Sequence, residues 1–379
     1  MTIETPSQKL AGIQCLRGIA ALMVVFYHVG IRMTGNDGEP SPYDVLMAGV
    51  DIFFVISGFI MWVTTAQQPD RTAGRFLLDR VQRIVPAYWV VTAALAVGLY
   101  LFAQPALASP NAGFDPRVRH TVLSFLFIPA LNPYKGVYQP VLTAGWTLNL
   151  EMFFYVIFAA AMALFGRRLG MRALAILATL VGLAAWGFYA PRSGILGFYT
   201  QNLLLEFGAG LALGVCWTRG WAACSRFWWI PFVVGFAGLA YAVVPTGCPR
   251  AVEWGIPALL IVTGAVMAPV TWPAALQRLG DWSYSLYITH QVTLGIAYKG
   301  WEATGFLPEF LFPPVGTILS VGAAWLFFRT VEAPFTRYFK AKGRGTGSGG
   351  DHSRKEMAGS SAPPLGSCAR AAAPRLDQI

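Results

Sequence analysis

Long apolar runs separated by short polar segments dominate the chain. Ten of these runs are close to the roughly 20 residues that a helix needs to cross a lipid bilayer. They cover residues 15–33, 45–65, 84–104, 145–165, 173–190, 199–217, 227–245, 254–271, 282–299 and 311–329. The pattern predicts an all-α, polytopic membrane protein with about ten transmembrane helices.

Two segments depart from this pattern. Residues 105–144 hold six prolines around a short apolar piece, Val118–Ile128, which is too short to span and is typical of a re-entrant or interfacial element. From residue 341 onward Gly, Ser, Ala, Pro and Arg prevail and aromatic residues are absent. Such a segment buries too little apolar surface to offset the entropy of ordering it. We therefore expect a transmembrane domain over residues 1–340 and a disordered cytoplasmic tail over residues 341–379.

Composition and charge narrow the class of protein. Hydrophobic residues make up 55% of the 379 residues and charged residues 12%, about half the roughly 25% of a soluble domain, which excludes an ordinary soluble enzyme. With the N-terminus inside, twelve Lys and Arg lie on the inner side and seven on the outer side, and nine more follow the last loop. Lys and Arg gather on the cytoplasmic side of membrane proteins. The net charge of +10 therefore predicts two cytoplasmic termini rather than nucleic-acid binding.

The positions of the five cysteines argue against both an intrachain disulfide and a zinc site. Four of them fall on or near the reducing side in this topology and only Cys248 faces the oxidising side, so no intrachain disulfide is expected. Since no pair has the spacing of zinc ligands, we expect no metal.

Ionisable residues inside the apolar runs are the first candidates for function. A charged side chain at the bilayer centre costs on the order of 2.5–3.5 kcal/mol, so such residues must face one another or a wet cavity. These residues are Arg17 at the edge of the first run, His28, Asp51, Glu151, Glu206 and His290.

Arg17 and His28 lie on nearly the same face of one helix, about 16 Å apart, because eleven residues make about three full turns. An imidazole exchanges a proton near neutral pH, as a general base on a sugar hydroxyl must. A packed histidine bonded to a neighbouring helix is the alternative. Asp51 either orients His28, as a carboxylate fixes an imidazole tautomer, or caps or joins helices.

Arg80 and Arg83 lie at i, i+3, so that their guanidinium groups converge on one anion. A cytoplasmic phosphate-bearing ligand is one interpretation, and a topological role for a basic loop is the other. Glu151 is either functional or a structural partner of an arginine. Glu206 lies one turn beyond Asn202, and Gly210 and Gly214 form a GxxxG pattern that favours helix packing. For His290 a structural and a functional role remain open.

The order of these residues resembles the membrane acyltransferase 3 family over residues 13 to 338. The matching segments are Leu16-Arg17-Gly18-Ile19-Ala20-Ala21 through His28, Asp51-Ile52-Phe53-Phe54-Val55-Ile56-Ser57-Gly58-Phe59, Arg80-x-x-Arg83, Gly145-Trp146-Thr147-Leu148 through Glu151, Tyr284-Ser285-Leu286-Tyr287 through His290, and Glu332-Ala333-Pro334. The sequence around Glu151 is similar to that of the family branch that acetylates exopolysaccharides. Ala333 stands where the family often has a Lys.

The resemblance implies an integral enzyme of the bacterial inner membrane. Such an enzyme moves an acyl group, usually acetyl, from cytoplasmic acetyl-CoA to a hydroxyl of an exopolysaccharide or other cell-surface glycan. Arg17 and His28 match the family's essential pair, and Arg80 and Arg83 match its second arginine motif. We expect His28, Asp51, Arg17 and Glu151 to be catalytic, and Arg80, Arg83 and Arg17 to bind acetyl-CoA.

Two rival functions use the same residues differently. A flippase or transporter of a lipid-linked glycan also places buried acids and histidines around a midplane cavity, and a non-catalytic partner of a polysaccharide assembly is the third hypothesis. The cytoplasmic arginine pair favours the enzyme, because a flippase has no need of it.

Overall fold

The computed structural model describes residues 6–35, 41–102, 116–190, 193–221, 226–243, 247–305 and 308–345. The all-α class is confirmed: the described residues hold no strand, only an isolated bridge between Leu131 and Tyr138. The α-helices are α1 (Pro6–Thr34), α2 (Ala48–Ala66), α3 (Ala73–Phe102), α4 (Pro116–Phe125), α5 (Gly145–Phe165), α6 (Leu169–Tyr189), α7 (Gly194–Tyr199), α8 (Leu204–Thr218), α9 (Trp229–Tyr241), α10 (Ile256–Met267), α11 (Ala274–Asp281), α12 (Ser283–Thr304), α13 (Phe312–Phe327) and α14 (Ala333–Gly345).

Each of the ten apolar runs overlaps one of these helices. Within the described residues, six helical stretches are long and apolar enough to cross a membrane, so the protein is a multi-pass membrane protein. They are Ala11–Thr34, Asp44–Ala66, Ala73–Leu101, Gly145–Phe165, Leu169–Tyr189 and Glu309–Lys342. The stretches Trp229–Tyr241 and Ala251–Met267 are apolar but shorter. A count of ten spans therefore stays a prediction.

Helix α2 lies at the centre of the bundle, as shown by the burial of nearly all of its side chains, most of which are apolar. Glycines let α8 approach it closely. A Cβ at Gly58 would lie 2.0 Å from the Phe207 carbonyl oxygen, and one at Gly210 would lie 1.9 Å from the Val55 carbonyl oxygen. The helix-packing role expected for the GxxxG pattern is confirmed, since any larger residue at Gly210 would strike the backbone of α2.

Helix α1 packs along α2, α10, α11, α12 and α13. The start of α12 is held to α1 through α11, where Gln14 Nε2 donates to Asp281 Oδ1 at 2.6 Å. Further along, Val25 and Val29 of α1 pack with Leu286 and Leu294 of α12 in a small apolar cluster of their own. This seam brings the polar residues of α1 and α12 face to face.

The proline-rich segment contains the short helix α4, which matches the apolar piece Val118–Ile128 expected there. It is anchored by two partly buried hydrogen bonds: His120 Nε2 donates to the Gln139 carbonyl oxygen at 2.8 Å, and Ser124 Oγ accepts from Val141 N at 3.0 Å. Burial lowers the pKa of His120. Residues 103–115 of the segment lie outside the described residues.

Two π-helical turns, Ala251–Gly255 and Phe328–Glu332, precede α10 and α14. Such turns occur frequently at functional sites. Helix α14 continues to Gly345, a few residues into the segment expected to be a tail. The rest of that segment lies outside the described residues.

Candidate active site

The seam between α1 and α12 brings two histidines together. His28 Nδ1 lies 3.2 Å from His290 Nε2, and the two ring centroids are 4.7 Å apart. His290 is fully buried and His28 is partly buried between the helices. Both rings can therefore form hydrogen bonds, and the His290 ring is not exposed to lipid.

Backbone carbonyls fix the protonation of each ring. His28 Nδ1 lies 2.8 Å from the Val24 carbonyl oxygen, and His290 Nδ1 lies 3.1 Å from the Leu286 carbonyl oxygen. A carbonyl oxygen only accepts, so both Nδ1 atoms carry hydrogen. In the neutral rings, each Nε2 therefore holds a lone pair. His290 Nε2 can accept a share of the His28 Nδ1 hydrogen.

The hydrogen bond from Gln291 identifies which nitrogen of His28 is the acceptor. Gln291 Oε1 accepts from the Ala144 backbone N–H at 3.3 Å, which turns its amide nitrogen toward His28 Nε2 at 2.7 Å. The amide nitrogen donates, so His28 Nε2 is the acceptor, in agreement with the tautomer set by Val24. A substrate hydroxyl that replaced the Gln291 donor would meet a lone pair.

Three arginines line a separate cavity of about 120 Å³ between α1, α2, α3, α5 and α12. Arg17 comes from α1, and Arg80 and Arg83 come from one face of α3. Arg80 Nε is buried and makes no hydrogen bond within the described residues. An unpaired buried guanidinium donor is costly, and guanidinium groups suit bidentate binding of phosphate or carboxylate. The cavity is therefore suited to an anion.

Glu151 supplies the carboxylate in the lining of this cavity. It accepts from Ser57 Oγ at 3.1 Å and from the Tyr155 hydroxyl. Its charge acts on Arg17, without a direct ion pair between the two. With three arginines against one glutamate in the lining, the cavity retains an excess of positive charge.

His28 does not line the arginine cavity. Tyr287 separates the two sites: its ring lines the cavity and lies 5.9 Å, between centroids, from the His290 ring. The Tyr287 hydroxyl is held by Thr147 Oγ1 at 2.6 Å and donates to the Ala144 carbonyl oxygen at 3.1 Å. One side-chain layer therefore stands between the cavity and the histidine pair.

The expected pairing of Asp51 with His28 is wrong in this structure. Asp51 is fully buried and binds Arg250 through both oxygens: Nε donates at 3.1 Å and Nη2 at 2.7 Å. The Arg250 guanidinium also lies 4.6 Å from the Trp254 ring centroid. A buried carboxylate requires a cation, and Arg250 supplies it. Asp51 thus joins α2 to the segment before α10, and His290 takes the place beside His28.

Glu206 lies near this ion pair rather than in the arginine cavity. Its carboxyl group is buried and lies close enough to Asp51 and Arg250 to interact with both, and neither oxygen accepts a hydrogen bond within the described residues. A bond to Asn202, which the spacing allowed, is not formed. The structure assigns Glu206 to the α2–α8 contact region.

The acyltransferase domain family, Acyl_transf_3, matches residues 10–329 of the chain. The chain belongs to this acyltransferase family. The match covers α1 to α13, and thus both the histidine pair and the arginine cavity. Arginines that suit an anionic donor and a basic imidazole are groups that acyl transfer uses, and the protein is an O-acyltransferase.

Three relatives support the assignment. The exopolysaccharide production protein ExoZ of Rhizobium meliloti (strain 1021) is 33% identical over 78% of this chain and 91% of its own length. BcsY of Komagataeibacter xylinus, named as a membrane-bound transacylase, is 28% identical over 75% of this chain and 73% of its own. SACOL0978 of Staphylococcus aureus (strain COL), named as an O-acetyltransferase, is 24% identical, and the match covers 86% of this chain but only 57% of that protein. No solved structure matches the acyltransferase chain.

Sequence reasoning missed four residues of this acyltransferase's site. Gln291 lies in the middle of the run 282–299, where an uncharged polar side chain is less conspicuous than an ionisable one, and Tyr287 was quoted only in a motif. Arg250 was counted only as a loop charge. Glu332, quoted only in a motif, is buried on the second π turn, accepts from Ser285 Oγ at 2.5 Å and acts by its charge on Arg17 and Arg83. An acidic residue just after the last apolar run was the available signal.

Proposed function

We propose that the protein transfers an acetyl group from cytoplasmic acetyl-CoA to a hydroxyl of an exopolysaccharide or other cell-surface glycan, in the bacterial inner membrane. The observation that supports this best is the convergence of Arg17, Arg80 and Arg83 on one cavity next to the histidine pair. The name of ExoZ supports a polysaccharide acceptor, and the names of the Staphylococcus aureus relatives support the acetyl group.

The arginine cavity is the proposed donor site. Arg80 and Arg83 enter it from the third helix, whose basic N-terminal end we place at the cytoplasmic side, and they bind the phosphates of CoA. Arg17 lies nearer the acyl end, and Glu332 keeps Arg17 and Arg83 in place by charge. Glu151 holds Ser57 and Tyr155 along the cavity wall.

The histidine pair is the proposed transfer site. His28 Nε2 takes the proton of the acceptor hydroxyl as its oxygen attacks the thioester carbonyl. The C–S bond then breaks, and the proton passes to the CoA sulfur, which leaves as the thiol. His290 shares the hydrogen on His28 Nδ1 and so stabilises the imidazolium that forms. For the thioester to reach His28, the Tyr287 side chain has to leave the position in which Thr147 holds it.

The flippase hypothesis finds no support in these comparisons, because the family and the relatives' names refer to acyl transfer. The decisive difference between the hypotheses is chemical: an acyltransferase releases CoA with a free thiol, whereas a transporter leaves acetyl-CoA intact.

The experiment measures thiol release by the purified protein in liposomes, supplied with acetyl-CoA and de-O-acetylated exopolysaccharide from the producing strain. We expect acceptor-dependent thiol release from the wild type. His28→Ala should lower kcat by roughly 10²- to 10⁴-fold, the typical contribution of a general base. Arg80→Ala should instead raise the KM for acetyl-CoA by roughly tenfold or more, as expected for the loss of a charged hydrogen bond.

A matched control is Arg167→Ala, which removes an exposed arginine outside the cavity and should leave both constants unchanged. Unchanged kcat in a His28→Ala protein that inserts normally would overturn the transfer role. An unaltered donor KM in Arg80→Ala would overturn the donor site.

A further inference from the structure

A second cavity, of about 240 Å³, lies where the end of α12 meets the end of α1 and the start of α13. Its lining differs from that of the arginine cavity: two carboxylates and three aromatic rings replace the guanidinium groups. The residues that carry the argument are Met33, Tyr298, Trp301, Glu302, Glu309 and Phe312.

This cavity continues the seam that holds the histidine pair. Along α1 and α12 the facing residues are first His28 with His290, then Arg32 with Gly295, where a Cβ would lie 3.3 Å from Arg32 Nη2. Met33 and Tyr298 follow in the cavity itself. Met33 is five residues beyond His28, or about 7.5 Å along the helix axis, and Trp301 is eleven residues, about 16 Å, beyond His290. A chain of a few sugar units spans this distance.

Trp301 carries an unused donor. Its Nε1 atom is buried and makes no hydrogen bond within the described residues, and an unpaired buried donor calls for a ligand or another partner. Phe312 fixes the neighbouring rings edge-on, at centroid distances of 5.8 Å to Trp301 and 5.1 Å to Tyr298. Glu302 and Glu309 add acceptors at the exposed rim.

These groups match the chemistry of a sugar. The apolar C–H face of a pyranose covers an aromatic ring, sugar hydroxyls donate to carboxylates, and a hydroxyl or ring oxygen accepts from the indole N–H. A phospholipid headgroup fits less well, because its phosphate would face two carboxylates, and Arg32 is a single cation beside them. Since the opposite charges of the two cavities separate an anionic donor from a polyol acceptor, each substrate has a chemically distinct site.

We propose that this cavity, formed by Tyr298, Trp301, Glu302 and Glu309, binds a sugar unit of the acceptor glycan and directs a neighbouring unit toward His28. The proposal rests on the proposed function, since it names the acceptor site of that reaction. It adds a prediction that the donor site does not make: acceptor and donor affinities are set by residues at opposite ends of the α1–α12 seam.

The test compares Trp301→Ala and Glu302→Gln with the wild type in the thiol-release assay, with de-O-acetylated exopolysaccharide and acetyl-CoA varied separately. We expect each variant to raise the KM for the glycan by about tenfold and to leave the KM for acetyl-CoA unchanged. Trp301→Ala loses a hydrogen bond together with the stacking ring, and Glu302→Gln loses a hydrogen bond to a charged group. Glu302 is exposed, so Glu302→Gln keeps the test valid if Trp301→Ala folds poorly.

Trp186→Ala and Asp70→Asn are matched controls, because both side chains are exposed and lie outside the two cavities. Both should behave like the wild type. An unchanged glycan KM in Glu302→Gln and in a folded Trp301→Ala overturns the acceptor site, and so does an equal rise in the KM for both substrates. The absence of any thiol release from the wild type would instead refute the proposed function, so that the two failures are distinct.

Discussion

A histidine that acts as a base needs a partner for the hydrogen on its second nitrogen. In this site the partner is a second histidine, because His28 Nδ1 faces both the Val24 carbonyl oxygen and His290 Nε2. A neutral imidazole stabilises an imidazolium less than a carboxylate does, but its burial costs less inside a membrane. The arrangement makes His290 a positioning residue for His28 rather than a second base.

The role of His290 predicts a difference between two substitutions of similar size. His290→Leu removes the acceptor opposite His28 Nδ1, and we expect kcat for thiol release to fall by roughly 10- to 100-fold, the worth of a hydrogen bond to a charged group. His290→Gln places an amide oxygen in reach of the same nitrogen and should recover most of this loss. Because neither change touches the arginine cavity, the KM for acetyl-CoA should stay constant. Equal kcat values for the two variants would show that His290 only fills space.

Sequence reasoning located most of the site's charged residues, because ionisable side chains are conspicuous in apolar runs. Arg17 and His28 on one helix face, and Arg80 and Arg83 one turn apart, followed from helical periodicity alone. The partner of Asp51 did not follow, since periodicity says nothing of contacts between distant helices. Arg250 is 199 residues from Asp51 along the chain, and only the packed bundle shows that they meet.

Helix pairs in this bundle are set by glycines as much as by apolar side chains. Apolar residues do not distinguish a neighbouring helix from lipid, so close approach of two backbones supplies much of the specificity of helix packing in membranes. Gly58 and Gly210 face the opposite backbones of α8 and α2. The contact also places Glu206 of α8 next to Asp51 of α2 and thereby positions the first turn of α2.

Two glycine substitutions test this packing against helix propensity. Gly210→Ala would place a Cβ 1.9 Å from the Val55 carbonyl oxygen, so α2 and α8 must move apart; we expect a loss of about 1–3 kcal/mol in stability. Gly182→Ala is the control on α6, where a Cβ meets nothing within 4 Å. It should be neutral or stabilise by up to about 1 kcal/mol, because Ala favours the helix. Thermal unfolding of both variants in the same detergent measures the difference, and equal midpoints would contradict the packing argument.

The elements themselves were largely predictable, since each apolar run overlaps a helix. Helix bounds were less so: α3 begins at Ala73, eleven residues before its apolar run, because the basic segment with Arg80 and Arg83 continues the same helix. The runs of α8 and α9 contain helices of 15 and 13 residues, shorter than a full span. Hydropathy identifies the segments that tolerate lipid, but it does not show where a helix ends inside the protein.

At the scale of the whole molecule, the two cavities lie on opposite sides of the histidine pair. The arginine cavity lies beside the start of α12, the histidine pair lies beyond Tyr287, and the carboxylate-lined cavity lies at the far end of the α1–α12 seam. With the N-terminus inside, a donor from the cytoplasm and an acceptor from the outer side would meet at His28. The distribution of Lys and Arg predicts this orientation, and the reaction proposed here depends on it.

The orientation predicts which surface residues a membrane-impermeant maleimide reaches in intact cells. In a variant whose five cysteines are replaced by serine, Lys135→Cys places a thiol on the exposed loop after α4, and Arg167→Cys places one on the exposed turn between α5 and α6. We expect Lys135→Cys to react in intact cells and Arg167→Cys to react only after the membrane is permeabilised. Because α5 alone separates the two positions, they must lie on opposite sides if α5 spans the bilayer. Labelling of the Arg167→Cys protein alone would invert the topology and place the carboxylate-lined cavity in the cytoplasm, where no exported glycan reaches it.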